Sequence, residues 1–334
     1  MEVNRFAIQI FMANMKKNKT VAIYLIAAII CLFLSACAIN NSAIQTKKLI
    51  AESADGTRIA YGFSGQGETT LLFVHGWLCD HKIWQPQIDY FSSNYKVVWL
   101  DLAGHGSSET DRQKFTMSAF AQDVKSVYDK VGGEKIILVG HSMGGPIVIE
   151  TARLLGKKVV GIVAVDAFYT PLASVPEEAK MAFLEKLKKD YPSALEETVR
   201  SMFAQSANPD LVNSTYQNML AADYKMGISS LYECIKWNSQ KEPSELKTFS
   251  GKLYNINGAP KGDEKALHNS VVLISGVGHF LPQVKAEEFN AALETVIEKI
   301  QSSLKNTHNP ALNRTQGATG SQMKLFSQLA PCAG

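Results

Sequence analysis

Cysteine is scarce in this chain of 334 residues: five in all, Cys31, Cys37, Cys79, Cys234 and Cys332. An odd and widely spaced set excludes a disulfide framework. No CxxC or Cys/His spacing suggests zinc, and no pair of histidines is spaced for a metal. Neither sign of charge is in excess, since 34 Lys and Arg against 31 Asp and Glu leave a formal net charge of +3. That gives no concentrated basic face of the kind nucleic acid requires. Short basic stretches such as Lys186-Leu187-Lys188-Lys189 read as solvated helix faces. Internal repeats are absent. Collagen-like and disorder-like bias is absent too, because 46% of residues are hydrophobic and 19% charged, an ordinary globular balance. Long apolar runs are also missing. Val21–Leu34 has about 14 residues, short of the roughly 20 that a membrane span needs.

What that run offers instead is a secretory signal. Lys16, Lys17 and Lys19 form a charged region ahead of it, and it ends in Leu34-Ser35-Ala36-Cys37. This end resembles a bacterial lipoprotein signal, which implies cleavage before Cys37 and a lipid on its sulfur. An uncleaved N-terminal anchor helix is the other reading. Met15 stands directly before the lysines, so the start is either Met1 or Met15. Ala38, not Asp, follows Cys37, so the inner-membrane retention signal is missing. The resemblance therefore implies a lipid-anchored protein of the cell envelope, at the outer membrane where there is one. The expected layout is a signal at 1–36, a linker at 37–57, a core at 58–167 and 249–305, and a helical lid at 168–248. Residues 306–334, rich in Asn, Thr, Gly and Ser without periodicity, read as a disordered tail.

Between linker and tail, short apolar strands alternate with helices. Arg58–Phe63, Thr70–Val74, Lys96–Leu100, Lys135–Val139, Val159–Val165, Lys252–Ile256 and Val271–Ile274 read as strands. Ile83–Phe91, Met117–Val131 with a Thr116 cap, Pro146–Leu155 and Ala286–Leu304 read as helices. Near-continuous runs such as Gly161-Ile162-Val163-Ala164-Val165 fit strands covered on both faces. The alternation predicts an α/β fold, a mostly parallel central sheet with helices on both faces. From about Phe168 to Thr248 no strand appears. A helical insertion there reads as a lid over the C-terminal ends of the strands.

The chemistry lies at those strand ends. Gly140-His141-Ser142-Met143-Gly144 matches Gly-x-Ser-x-Gly, after a strand and opening a helix as that motif requires. His75-Gly76-Trp77 follows another strand, Asp101–Ser108 a third, and Gly276-Val277-Gly278-His279-Phe280 the last. Together these motifs, over about Leu71–Lys299, resemble the α/β-hydrolase family, most of all its small lidded esterases and lipase-like members. The resemblance implies Ser142 as nucleophile, His279 as general base, and the backbone N–H groups of Trp77 and Met143 as oxyanion-hole donors. A serine hydroxyl needs such a base before it attacks, and an imidazole changes charge near neutral pH.

The acid departs from the family pattern. The family's usual acid lies after the strand Lys252–Ile256, near Ala259 or Lys261, and neither is acidic. Asp166, at the end of Val159–Val165, is the first choice and Asp263 the alternative, with Glu264 or no carboxylate behind them. Asp101 is expected to hold the turn Gly104–Ser108 by hydrogen bonds, and His81 to be exposed. His75, Trp77, Phe168, Tyr169 and Phe280 are candidate pocket residues. Esters, thioesters and lactones are the expected small-molecule substrates. Carbon–carbon bond hydrolysis and acyl transfer keep the same serine. Epoxide hydrolases and dehalogenases need an aspartate nucleophile where Ser142 stands. A non-catalytic ligand-binding relative is the reading of a different class. No cofactor, metal or nucleic acid is implied.

Overall fold

A computed structural model describes residues 49–169, 175–259 and 270–308. Eight strands form one sheet: β1 (Leu49–Glu52), β2 (Arg58–Ser64), β3 (Thr69–Val74), β4 (Lys96–Leu100), β5 (Lys135–His141), β6 (Val159–Val165), β7 (Leu253–Gly258) and β8 (Val271–Ile274). Their order is β1-β2-β4-β3-β5-β6-β7-β8. β1 and β2 run antiparallel to their neighbours, and all pairs from β4–β3 to β7–β8 are parallel. Every residue of β3 is buried, as is nearly every residue of β5 and β6. Such strands need apolar cover on both faces, which explains their continuous Val, Ile and Leu content.

Helices supply the cover: α1 (Gln85–Phe91), α2 (Met117–Val131), α3 (Gly144–Leu155), and at the end α9 (Leu281–Val284) and α10 (Ala286–His308). In α2 the buried Met117, Phe120, Val124 and Val127 recur at helical spacing, and Thr116 Oγ1 accepts the Ala119 N–H at 3.1 Å. α10 turns Phe289, Leu293, Val296, Ile297 and Ile300 inward. Between β6 and β7 the chain leaves the sheet and forms α4 (Glu177–Lys189), α5 (Tyr191–Ser201), α6 (Pro209–Leu220), α7 (Tyr224–Gln240) and α8 (Glu242–Phe249). This insert is tied to the core at α3, where Glu150 Oε1 accepts from Trp237 Nε1 at 2.6 Å and from Lys241 Nζ at 2.7 Å. No helix among the described residues is long and apolar enough to cross a membrane.

The sheet starts earlier than the sequence suggested. Residues 49–57, expected in the linker, form β1 and its turn, with Ala51 facing Ile59 in the ladder. Three adjacent apolar residues in a strand of four show no alternation to recognise. The signal, Cys37 and the tail beyond 308 lie outside the described residues, as do Lys261, Asp263 and Glu264.

Candidate active site

Ser142 sits at the turn from β5 to α3 with φ of +55°, a left-handed backbone that a side chain adopts only under strain. Its N–H donates to Val165 O at 2.9 Å, and its carbonyl accepts from Gly145 N at 2.8 Å, so the end of β6 and the start of α3 hold it there. The motif's glycines are required by close approach. A Cβ on Gly140 would lie 2.3 Å from Gly144 O, and one on Gly144 would lie 2.6 Å from Val74 O. Only glycine lets β5, α3 and β3 come together at this point.

His279 follows β8 and reaches across to the end of β6. Its Nδ1 lies 2.5 Å from Asp166 Oδ2. The other carboxylate oxygen, Oδ1, accepts the Gly258 N–H at 3.0 Å. Asp166 also has a left-handed backbone, φ +46°, and its N–H donates to Ile256 O. Burial pushes the Asp166 carboxyl up. The His279 hydrogen bond and charge, with the Gly258 N–H, outweigh it and hold the pKa below the usual carboxylate range. Asp166 is thus an anion suited to orienting the ring by its Nδ1–H. Of the two carboxylates considered for this place, Asp166 is brought to His279, whereas Asp263 lies outside the described residues.

The backbone of His279 is fixed from two sides. Its N–H donates to Met202 O at 2.7 Å, at the end of α5 in the insert. Its carbonyl accepts from His141 Nε2 at 2.9 Å, and the two imidazoles lie 4.6 Å apart. Burial, then the charge of His279, pushes the His141 pKa down to about 3, so it stays neutral beside His279. Neither fixing residue was foreseen. His141 lies in the motif, but nothing in the sequence marks its contact with a loop 138 residues away. Met202 contributes only its carbonyl, which no side-chain pattern reveals.

Ser142 and His279 line one small space with Gly76, Trp77, Cys79, His141, Met202, Met219 and Phe280. Its volume is about 20 Å³, room for about one water. Ser142 and His279 are not hydrogen-bonded to each other here; His279 is held instead by Asp166, His141 and Met202. No acceptor is found among the described residues for the backbone N–H of Trp77 or Met143. The Trp77 side chain is fixed by Nε1 donating to Gly227 O in α7 at 2.8 Å. Burial pushes the Cys79 thiol up to about 12, so it is no nucleophile near neutral pH.

The expected pocket residues divide. Trp77 and Phe280 line the space over Ser142. His75 does not. It is fully buried, with Nδ1 against Gly76 O at 2.8 Å and Nε2 accepting from Leu102 N at 3.0 Å. It is scaffold for the loops after β3 and β4. Phe168 and Tyr169 are not in that wall; Phe168 packs against Gly145 and the Trp237 ring. Asp101 holds its turn as expected, with Oδ2 accepting from Ser107 N at 2.8 Å. It also pairs with His81 at 2.7 Å, which makes His81 half-buried rather than exposed.

A Gly-x-Ser-x-Gly elbow, a His–Asp pair on later strand ends and a largely parallel sheet define the class. Residues 69–294 match the family model for the alpha/beta hydrolase fold, and the chain belongs to that family. The dihydrolipoyllysine-residue acetyltransferase component of the acetoin cleaving system of Cupriavidus necator is 36% identical over 112 residues, which is 34% of this chain and 30% of that protein. Epoxide hydrolase 4 of Mus musculus is 30% identical over 112 residues, 33% of this chain and 31% of that protein. The chain thus spans less than a third of the length of these two curated relatives. In fold it is similar to a thermophilic esterase from Thermogutta terrifontis, with a TM-score of 0.62, 21% identity, and coverage of 76% of this chain and 99% of that one.

Proposed function

We propose that the protein is a serine hydrolase that cleaves a carboxylic ester, thioester or lactone through an acyl-serine intermediate. The observation that carries this reading is the Asp166–His279 pair beside Ser142. In this scheme His279 Nε2 takes the proton of Ser142 Oγ as that oxygen attacks the acyl carbon. The N–H groups of Trp77 and Met143 stabilise the oxyanion, an effect worth about 3–4 kcal/mol for a well-placed donor. His279 then protonates the leaving alcohol, and water releases the acid by the same steps in reverse. Asp166 keeps the ring in the tautomer that leaves Nε2 free to accept. The insert acts as the lid, and Cys37 carries the lipid that holds the enzyme in the envelope.

The test is hydrolysis of p-nitrophenyl esters of graded chain length by protein lacking the signal. Ser142→Ala should abolish turnover. Asp166→Asn should lower kcat by about 10⁴-fold through loss of the tautomer and its charge, far more than Asp263→Asn. Full activity in folded Ser142→Ala would overturn the proposal.

A further inference from the structure

Beyond Met219 lies a second and much larger cavity, of about 530 Å³. That is within the roughly 300–1,000 Å³ of small-molecule sites. It lies between the loops after β3 and β4, the end of α6, and α9. Cys79, Met219 and Phe280 belong to its wall and also to the wall of the space over Ser142. The two are neighbours, with Met219 between them, and an unbranched thioether is easily turned aside.

The larger wall carries several polar side chains and three charged ones, Asp80, Lys82 and Asp223. Thr110, Thr215, Asn218 and Gln283 contribute to it. Its charged members are already engaged. Asp80 pairs with Lys82 at 3.2 Å, and Asp223 Oδ1 accepts the Met226 N–H at 2.7 Å as the cap of α7. Gln283 Oε1 is buried and has no partner. A buried polar atom left unpaired costs stability, and a turn of the Gln283 side chain into the cavity toward a ligand would restore it. With the amide turned over, the unpaired atom would be a donor instead. A hydroxyl satisfies either orientation because it both donates and accepts. A cation or an anion would satisfy only one.

We propose that this cavity is the leaving-group subsite and that it takes an uncharged, hydroxyl-rich alcohol such as a sugar or other polyol. The inference rests on the serine-hydrolase reading above. Ser142 Oγ bonds to the acyl carbon, the bond from that carbon to the polyol oxygen breaks, and the polyol departs with the proton held by His279. Water then cleaves the acyl-serine. Gln283 and Asn218 are specificity-determining residues that recognise the hydroxyls.

Two acetate esters with six-carbon leaving groups test this: 6-O-acetylglucose and hexyl acetate. Wild type should hydrolyse the sugar ester with kcat/KM at least about tenfold higher, the size of one well-made hydrogen bond. Gln283→Leu and Asn218→Leu should each shrink that ratio, to within about twofold, through KM. Calorimetric titration of Ser142→Ala with the same two esters reads binding without turnover, and should detect the sugar ester more tightly bound. Equal or reversed preference in wild type, with hydrolysis intact, would overturn the subsite and leave the hydrolase reading standing. Tight sugar-ester binding with no hydrolysis by wild type would support the polar subsite and contradict the hydrolase reading. A sugar preference that survives both Leu variants would overturn the assignment to this cavity.

Discussion

His75, His105 and His141 are fully buried around the site, and burial keeps each of them neutral, with His105 and His141 pushed down to about 3. In the unfolded chain each titrates near 6.5. Below that value the unfolded chain binds protons that the folded one refuses, so stability falls as pH falls toward 3. The loss is on the order of 1 kcal/mol per pH unit for each of His105 and His141 once pH is well below 6.5, and His75 adds in the same direction. His81 runs the other way. Burial pushes it down, but the Asp101 hydrogen bond and charge outweigh that and raise its pKa. Its contribution is complete below 6.5 and is lost as pH rises through the raised value. Three depressed histidines outweigh one raised, so urea midpoints should fall steeply from pH 6.5 to 4.5. A flat profile would contradict the burial of these rings. Ser142 and His279 were legible because motif and strand context coincide. Asp166 was legible only as one of two choices, since each of the two carboxylates follows a strand in the sequence and spacing alone does not separate them.

At the scale of elements, the loop carrying His279 is set by contact with α5. A Cβ on Gly278 would lie 2.1 Å from Met202 O, so Gly278→Ala must push the loop away from the insert. The His279 N–H bond to Met202 O would go with it, and misplacement of the base by about 1 Å costs roughly 10²-fold in kcat. Steady-state kinetics should show that loss with the sheet intact by circular dichroism. Thr116→Ala removes the α2 cap at a cost of about 1 kcal/mol. It should lower Tm by about 2–4 °C with no change in KM. The limits of β4, α2, β6 and β8 were readable from sequence, since each is a run of one period closed by clear turn or cap residues. β1 was not, and neither was the short α9, because four residues carry too little period. The helical character of the insert was legible. Its seam with α3 was not, since Trp237, Lys241 and Glu150 meet only in the folded chain.

Taken whole, the molecule places Ser142 beside an insert that also holds the His279 backbone and walls the larger cavity. Met202 and Met219, both on the insert, line the space over Ser142. Met219→Ala should join the two spaces, and Met219→Phe should close them off and lower kcat/KM for large esters more than for p-nitrophenyl acetate. If Cys37 carries lipid, Cys37→Ala should move the expressed protein from the membrane fraction to the soluble one; unchanged fractionation would refute the anchor. Ester cleavage by this mechanism requires that Ser142 become acylated. Trapping with a fluorophosphonate, followed by peptide mass spectrometry, tests it most directly. One adduct is expected, on the peptide containing Ser142, at a rate lowered strongly by Asp166→Asn. Folded protein that carries no adduct there, or carries it on another residue while hydrolysing esters, would contradict it.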